Sequence, residues 1–300
     1  MKLTLNIAIA VCLVSLFSVS VPAQKAAKQP AKKPIIFAVL NDGKTLEPIA
    51  HVNKGKLEAP VNGSDDVKAI TAFNKSYYKP GASYRLIFGG ANAGTVTIKS
   101  SNANAECSRN MATVTTKALK TPLAGLVMGV ATDAPGKAGT TTYRRRPTAA
   151  ERGEIEELVN AEFKRQKLTP TVLRYQNLTA LDLDNDGKAE FVGSYWVEVD
   201  KQTRALLFFI AGRGTNGKLN FGHQEYRTVD QASVMSGEIS AVDEGIYHEL
   251  LLDVFDVNGD GKAEVFTYTR SFEGAGFNVF QASGAKWTRL FDGSNYHCAF

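Results

Sequence analysis

The chain has 300 residues, of which 44% are hydrophobic and 22% are charged. This composition excludes a largely disordered chain and is sufficient for one large domain or two medium domains with hydrophobic cores. The formal net charge is +5, but no basic stripe with interleaved aromatic residues is present, so we do not expect a nucleic-acid-binding protein.

Residues 1–23 have the features of a secretory signal peptide. Lys2 gives a short positive region, residues 7–21 are apolar apart from serines, and residues 21–23 provide a small-residue cleavage site. The alternative is an uncleaved membrane anchor, but the stretch is shorter than the ~20 apolar residues of a typical span. We therefore expect cleavage before Gln24, no membrane span in the mature chain, and a secreted or periplasmic location.

Charge is unevenly distributed along the rest of the chain. Residues 24–34 are rich in Lys, Ala and Pro and predict a flexible linker. Residues 35–170 hold 19 basic and 12 acidic residues, a net of +7, whereas residues 171–300 hold 11 basic and 18 acidic residues, a net of −7. This asymmetry favours two domains with attractive surfaces and places candidate cation sites in the acidic half.

Two cysteines, Cys107 and Cys298, remain once the segment that holds Cys12 is removed. Export would place them in an oxidising compartment, where they can form a disulfide. Such a bridge closes a long loop and would stabilise the fold by ~5 kcal/mol in the chain-entropy model. Two unrelated buried thiols are the alternative, because two cysteines permit one pairing without requiring it.

Residues 35–135 are predicted to form a small N-terminal β sandwich or barrel. Short runs of β-branched and apolar residues, such as residues 35–40, 84–88 and 112–116, are separated by the Gly, Asn and Pro clusters that are typical of turns. Residues 65–74 fit a short helix within this β-rich segment.

A hinge is predicted at residues 136–147, which are rich in Gly, Thr and Arg, and it precedes a C-terminal domain at residues 148–300. Thr148 and Glu151 match a capping box, in which each side chain bonds a free amide at the start of a helix. Apolar residues then recur at helical spacing as far as Phe163. The predicted fold is therefore mainly β with one α-helix at the start of the second domain.

Two units of similar pattern follow this helix. Each reads as strand, acidic loop, strand, turn, strand, turn, strand, which is a four-stranded antiparallel meander with the shape of a propeller blade. The glycines of residues 212–217 match a dinucleotide-binding pattern, but another strand rather than a helix follows them, so we expect a hairpin. Closed propellers have about four to eight blades, and two units therefore predict an open module.

The two acidic loops are nearly identical in sequence. Residues 182–190 read D-L-D-N-D-G-K-A-E and residues 256–264 read D-V-N-G-D-G-K-A-E, with oxygen-bearing side chains at positions 1, 3, 5 and 9 and Gly at position 6. This alternation lets a short turn wrap several oxygens around Ca²⁺, which prefers a flexible shell of hard oxygen ligands over the strict octahedron of Mg²⁺. The predicted ligands are Asp182, Asp184, Asp186, the carbonyl of Lys188 and Glu190 in the first loop, and Asp256, Asn258, Asp260, the carbonyl of Lys262 and Glu264 in the second.

A metal-free polar turn is the simpler interpretation, because Asp, Asn and Gly favour turns without any ion. Against it, several carboxylates packed together repel one another unless a cation joins them, and the motif occurs twice in full. An EF-hand is disfavoured, since position 12 is Gly193 or Thr267 instead of Glu and the flanks have the pattern of strands. We expect two structural Ca²⁺ sites.

With strand flanks and an acid at position 9, residues 174–297 resemble the calcium-binding β repeats known as FG-GAP or VCBS repeats, which also build the integrin α propeller. The resemblance implies Ca²⁺ held in β-hairpin loops that stabilise blades used in recognition. We therefore expect an exported, non-enzymatic calcium-binding protein that acts in recognition, adhesion or envelope scaffolding on a protein or polysaccharide ligand. The alternative is a secreted hydrolase, for example one that acts on polysaccharide, in which Ca²⁺ is a stabiliser.

Overall fold

The computed structural model describes residues 32–119, 128–137, 144–184 and 186–298. The predicted signal peptide and most of the predicted linker lie outside these residues. From Lys33 onward the chain forms one compact unit. The predicted boundary at residues 136–147 stays a prediction, although residues on its two sides share a hydrophobic core, as described below.

Seven antiparallel strands and one helix form the N-terminal part of this unit. The strand order is β1-β7-β4-β5-β6-β2, and β2 pairs again with β1, so six strands close into a barrel to which β3 is attached at one edge. The predicted sandwich or barrel is therefore a barrel. The elements are β1 (Ile35–Leu40), β2 (Thr45–Asn53), β3 (Lys56–Glu58), α1 (Val67–Tyr77), β4 (Ser83–Phe88), β5 (Ala91–Ser101), β6 (Ala112–Ala118) and β7 (Gly129–Thr132).

Strand β1 is buried on both of its faces. Successive side chains of a strand point to opposite sides, and Phe37 accordingly packs inside the barrel with Phe73 and Tyr78 from the α1 region. The neighbouring Ile36 packs outside the barrel, against Phe266 of the C-terminal half. The uninterrupted apolar sequence of β1 is explained by this double burial.

Helix α2 (Ala149–Arg165) begins with the predicted capping box. The Thr148 hydroxyl accepts a hydrogen bond from the Glu151 amide, and the Glu151 carboxylate accepts one from the Thr148 amide. Ile155 and Phe163 on its apolar face are fully buried.

None of the helices among the described residues has the length and hydropathy needed to cross a bilayer.

The C-terminal half contains two four-stranded antiparallel meanders, as the sequence predicted, and they do not form a closed propeller. The glycine-rich residues 212–217 lie at the turn of a hairpin, where the Gly214 amide donates to the Lys218 carbonyl. The elements are β8 (Arg174–Leu181), β9 (Glu190–Asp200), β10 (Thr203–Arg213) and β11 (Leu219–Asp230) in the first sheet, a short helix α3 (Ser240–Asp243), and β12 (Glu249–Phe255), β13 (Glu264–Arg270), β14 (Gly274–Ser283) and β15 (Lys286–Tyr296) in the second.

These elements pack as a stack of layers. Phe209 of the first sheet faces α2, whereas the adjacent Phe208 faces the second sheet. In the second sheet, Val254 faces the first sheet and Phe255 faces the barrel. The order of layers is therefore α2, first sheet, second sheet and barrel, so that the apolar faces of both sheets are covered.

Asp253 joins the barrel to the second sheet by hydrogen bonds. Its two carboxylate oxygens accept from the amides of Gly89 and Gly90, in the turn between β4 and β5, each at 2.8 Å. The Arg144 guanidinium lies 3.6 Å away. A buried carboxylate is tolerated only when it is hydrogen-bonded or paired, and these contacts supply both.

A disulfide and a buried polar cluster hold the C-terminal segment on the barrel. Cys107 and Cys298 are disulfide-bonded, with their Cα atoms 5.3 Å apart. Beside the bridge, the Asn295 amide donates to the buried Glu47 carboxylate at 2.7 Å, and the Asn110 amide donates to Asn295 at 2.7 Å. The last strand is thereby tied to residues about 190 to 250 positions earlier in the chain.

Leu251 tests the packing between the two sheets, where it is fully buried. Leu251→Ala should lower the free energy of unfolding by about 2–5 kcal/mol, because it removes buried methyl groups and leaves a cavity. The matched control is Leu290→Ala on β15, where the side chain is 41% exposed and the change should stay within about 0.5 kcal/mol. Equal losses in urea denaturation of the two variants would contradict the stacked arrangement.

Candidate metal centres

The two acidic loops occupy equivalent places, since each follows the first strand of its sheet and leads into the second. Their second residues, Leu183 and Val257, are almost fully buried and anchor the loops in the core. The loops are also joined directly, because the Ala263 amide donates to the Leu183 carbonyl at 3.0 Å. The stacking of the sheets therefore places the two candidate sites side by side at one end of the layers.

The first and sixth positions form the same contact in both loops. The Asp182 carboxylate accepts from the Gly187 amide at 3.1 Å, and the Asp256 carboxylate accepts from the Gly261 amide at 3.0 Å. The two glycines have φ values of 82° and 91°, a left-handed conformation that glycine adopts without a steric penalty. This turn folds the carboxylates inward.

The ninth position is also equivalent in the two loops. Glu190 accepts from the Leu183 amide at 2.8 Å, and Glu264 accepts from the Val257 amide at 2.8 Å. Each glutamate therefore reaches back from the start of the following strand to the second residue of its own loop. The two loops have a shared hydrogen-bond pattern as well as a shared sequence.

Position 5 binds the following lysine in both copies. The Asp186 carboxylate accepts from the Lys188 amide at 2.8 Å, and Asp260 accepts from the Lys262 amide at 2.9 Å. The Lys188 ammonium also lies 3.2 Å from Asp186, although the lysine side chain is 68% exposed. Position 4 of the first loop lies outside the described residues.

Three side chains of the first loop converge. Asp182, Asp184 and Glu190 each offer a carboxylate oxygen, and these oxygens lie within 4.8 Å of one another. Calcium–oxygen distances are about 2.3–2.6 Å, so oxygens with this spacing can share one ion. The donor set is entirely oxygen, which suits a hard cation such as Ca²⁺.

The second loop has an amide at position 3, and its nitrogen lies among the carboxylates. Asn258 Nδ2 donates to Glu264 at 2.8 Å and to Asp260 at 3.2 Å. The Asn258 NH₂ group therefore lies where a bound cation would contact the same carboxylate oxygens. To coordinate an ion, the carboxamide would have to turn so that its oxygen faces inward.

Burial and neighbouring charge raise the pKa of both position-9 glutamates to about 7. For Glu190, burial is the main cause and the aspartates of its loop add to it; for Glu264, burial is again the main cause and Asp256 and Asp260 contribute. In each case the backbone amide at position 2 opposes the shift. A cation bound among these oxygens would favour the ionised form instead.

Several aromatic and acidic side chains of the C-terminal half lie away from these loops. Trp196, Tyr195 and Tyr268 are buried, which agrees with core packing. Asp243 forms an ion pair of 2.7 Å with the buried Arg204. The Leu183–Ala263 bond was not predicted, because it joins two loops that are far apart in the sequence. The inward amide of Asn258 was not predicted either, because the residue type does not determine whether the nitrogen or the oxygen of a carboxamide faces the loop.

No protein-family model, curated protein or solved structure is significantly similar to the chain.

Without metal, the two raised glutamate pKa values should make the protein less stable as pH rises. An acid whose folded pKa exceeds its ordinary value of 4.5 binds protons more tightly in the folded state. The unfolding free energy therefore falls between about pH 4.5 and pH 7, by up to about 3 kcal/mol per carboxyl. The measurement is urea denaturation in excess chelator across this range.

In the double variant Glu190→Gln/Glu264→Gln, the unfolding free energy should fall much less with rising pH, because glutamine does not titrate at these positions. Glu198→Gln is the control, since the Glu198 side chain is 48% exposed and lies outside both loops. If the difference in stability between the double variant and the wild type does not change with pH, the position-9 carboxyls are not the cause.

Proposed function

We propose that each acidic loop binds one Ca²⁺ and that the protein is an exported β module stabilised by these ions, acting in recognition, adhesion or envelope scaffolding. The main support is the shared hydrogen-bond pattern of the two loops, together with the carboxylate oxygens of the first loop, which lie within 4.8 Å of one another. An ion in this position would neutralise the half-buried Glu190 and the buried Glu264 and hold each loop to the strands on either side.

The groups that fit this role come from positions 1, 3, 5, 7 and 9 of each loop. Their number and flexibility suit the six to eight oxygens that Ca²⁺ takes up. The first site would use Asp182, Asp184, Asp186, the carbonyl of Lys188 and Glu190; the second would use Asp256, Asn258, Asp260, the carbonyl of Lys262 and Glu264. With four carboxylates against three and an amide, the first site is expected to bind more tightly.

A duplicated FG-GAP or VCBS repeat accounts for these features. In this interpretation the repeats are residues 174–297, and each contributes one four-stranded meander with its loop after the first strand. Among the described residues the stack contains two such sheets, so a recognition surface would come from the sheets and loops themselves and not from the centre of a propeller. The choice of a binding role over an enzymatic one depends on analogy with these repeats.

Calorimetric titration of the mature, chelator-treated chain with Ca²⁺ should show two sites. Asp184→Ala and Asp260→Ala should each remove one of them. At a free concentration one hundred times the dissociation constant, each bound ion should stabilise the folded state by about 2.7 kcal/mol. Asp292→Ala is the control, because its side chain is 71% exposed and outside the loops; unchanged binding in both loop variants would show that the ligands are wrongly assigned.

Position 3 allows a reciprocal test of the order of affinity. Asp184→Asn gives the first loop the charge of the second, and Asn258→Asp gives the second loop the charge of the first. The first change should weaken binding at site one and the second should strengthen binding at site two, because ligand charge tunes affinity. Shifts in the opposite directions in the same titration would contradict the assignment of position 3 as a ligand.

Export is supported by the signal-like sequence of residues 1–23 and is compatible with the Cys107–Cys298 disulfide. Amino-terminal sequencing of protein recovered from the extracytoplasmic fraction of a secreting bacterial host should begin near Gln24. Recovery of the chain with residues 1–23 intact would contradict cleavage by a signal peptidase.

A further inference from the structure

A polar cavity of about 150 Å³ lies between the two C-terminal sheets. Its wall includes Glu249, which is the first residue of β12, and Thr269, which lies close to the end of β13. The acidic loop joins the other ends of these two strands, so the cavity is at the opposite end of the sheets. Its volume is several times the ~30 Å³ share of one water and below the ~300 Å³ of the smallest drug-sized pockets.

Glu249 is the most buried charged group of the cavity wall, with an exposure of 9%. Its Oε1 accepts hydrogen bonds from Thr267 at 2.6 Å and from Asn278 at 2.9 Å. Oε2 makes no hydrogen bond to any described residue. These bonds fix the carboxylate and leave one oxygen to accept from a ligand.

Arg227 supplies the opposite charge at the cavity wall. It is exposed, and the titratable groups that face it include Glu249, Glu225, Tyr247 and His248. Glu225 is already paired with Arg289 and contacts His223 at 3.2 Å. The charges of the wall therefore balance, so a neutral ligand fits better than an anion or a cation, either of which would leave a charge uncompensated.

Tyr247 stands in the wall with its backbone in a strained conformation. Its φ is +68°, which is an outlier for a bulky residue. The conformation is fixed by a hydrogen bond of 2.8 Å from its amide to the Arg270 carbonyl. Backbone strain of this kind is uncommon and clusters at ligand-binding sites. Beside it, Leu206 and Phe208 give the cavity an apolar side.

Ser194 lines the same cavity and lies beside the fully buried His248, but the two are not arranged for nucleophilic catalysis. The Ser194 hydroxyl lies 3.4 Å from His248 Nδ1, and His248 Nε2 lies 2.9 Å from the Val242 carbonyl. Burial lowers the pKa of His248 to about 4, so its imidazole is a weak base at neutral pH. Ser194 therefore forms part of the wall, and His248 does not activate it as a nucleophile.

We propose that this cavity binds one neutral sugar unit, such as the terminal monosaccharide of a glycan, with Glu249 and Arg227 as its polar anchors. Sugar hydroxyls can both donate to Glu249 Oε2 and accept from the Arg227 guanidinium. The apolar face of the ring would lie against Leu206 and Phe208. The site supplies a ligand class for the recognition role proposed above, but it does not use the calcium ligands.

The test is an amide chemical-shift titration of the mature chain in excess Ca²⁺. The probes are the methyl glycosides of glucose, galactose and mannose, N-acetylglucosamine, and glycine and acetate as charged comparisons. At least one neutral sugar should shift the amides of Tyr247 and Glu249. Glu249→Gln and Arg227→Met should each weaken binding at least about tenfold, as loss of a hydrogen bond to a charged group does, and the exposed Glu198→Gln should have no effect.

Three binding results would overturn the proposal. They are no shift at the cavity with any neutral sugar, stronger binding of glycine or acetate, and unchanged affinity in folded Arg227→Met, whose exposed side chain can be replaced without disturbing the core. Hydrolysis of a methyl glycoside would also overturn it, because it would assign catalysis instead of binding. Calorimetry with Ca²⁺ on the same samples separates these outcomes from a failure of the calcium sites.

Discussion

The architecture depends on one constraint: a β-sheet with two apolar faces must have both faces covered. The second C-terminal sheet shows it most clearly. Val265 packs against the first sheet, and its neighbour Phe266 packs against the barrel. The first sheet has the same need and is covered on its outer face by α2, through residues such as Phe163. A stack of two blade-like sheets therefore ends in a helix on one side and a barrel on the other, where a propeller would continue with further blades.

This stacking also decides where function can reside. Because the sheets pack face to face, the hairpin loops after β8 and β12 meet at one end, joined through Leu183 and Ala263. The opposite end of the same interface opens into the polar cavity that contains Glu249. Ion binding at one end would rigidify the strands that carry the wall of the other, although the two sites share no ligand. The facing surfaces of the two C-terminal sheets are apolar over most of their length. This apolar interface excludes water from the region between the loops and the cavity.

Local patterns were sufficient to predict part of this structure. The capping box of Thr148 and Glu151, the turn at Gly187 and the strands of both meanders depend on neighbours in sequence, so the sequence predicts them well. Closure of the barrel was not specified, because it depends on pairing of β1 with both β2 and β7. The contact between Glu47 and Asn295, 248 positions apart, and the wall of the cavity have the same non-local origin. For the loops, the sequence predicts the ligands but not the Asn258 amide that lies among them.

The central claim is that the two acidic loops are calcium sites, and a crystal structure of the mature chain grown in Ca²⁺ tests it most directly. The account predicts one ion in each loop with six to eight oxygen ligands at about 2.3–2.6 Å, including Glu190 and Glu264. It also predicts that the Asn258 carboxamide turns its oxygen towards the ion and gives up its bond to Glu264. Loops without an ion that keep the Asn258–Glu264 hydrogen bond in excess Ca²⁺ would contradict the account.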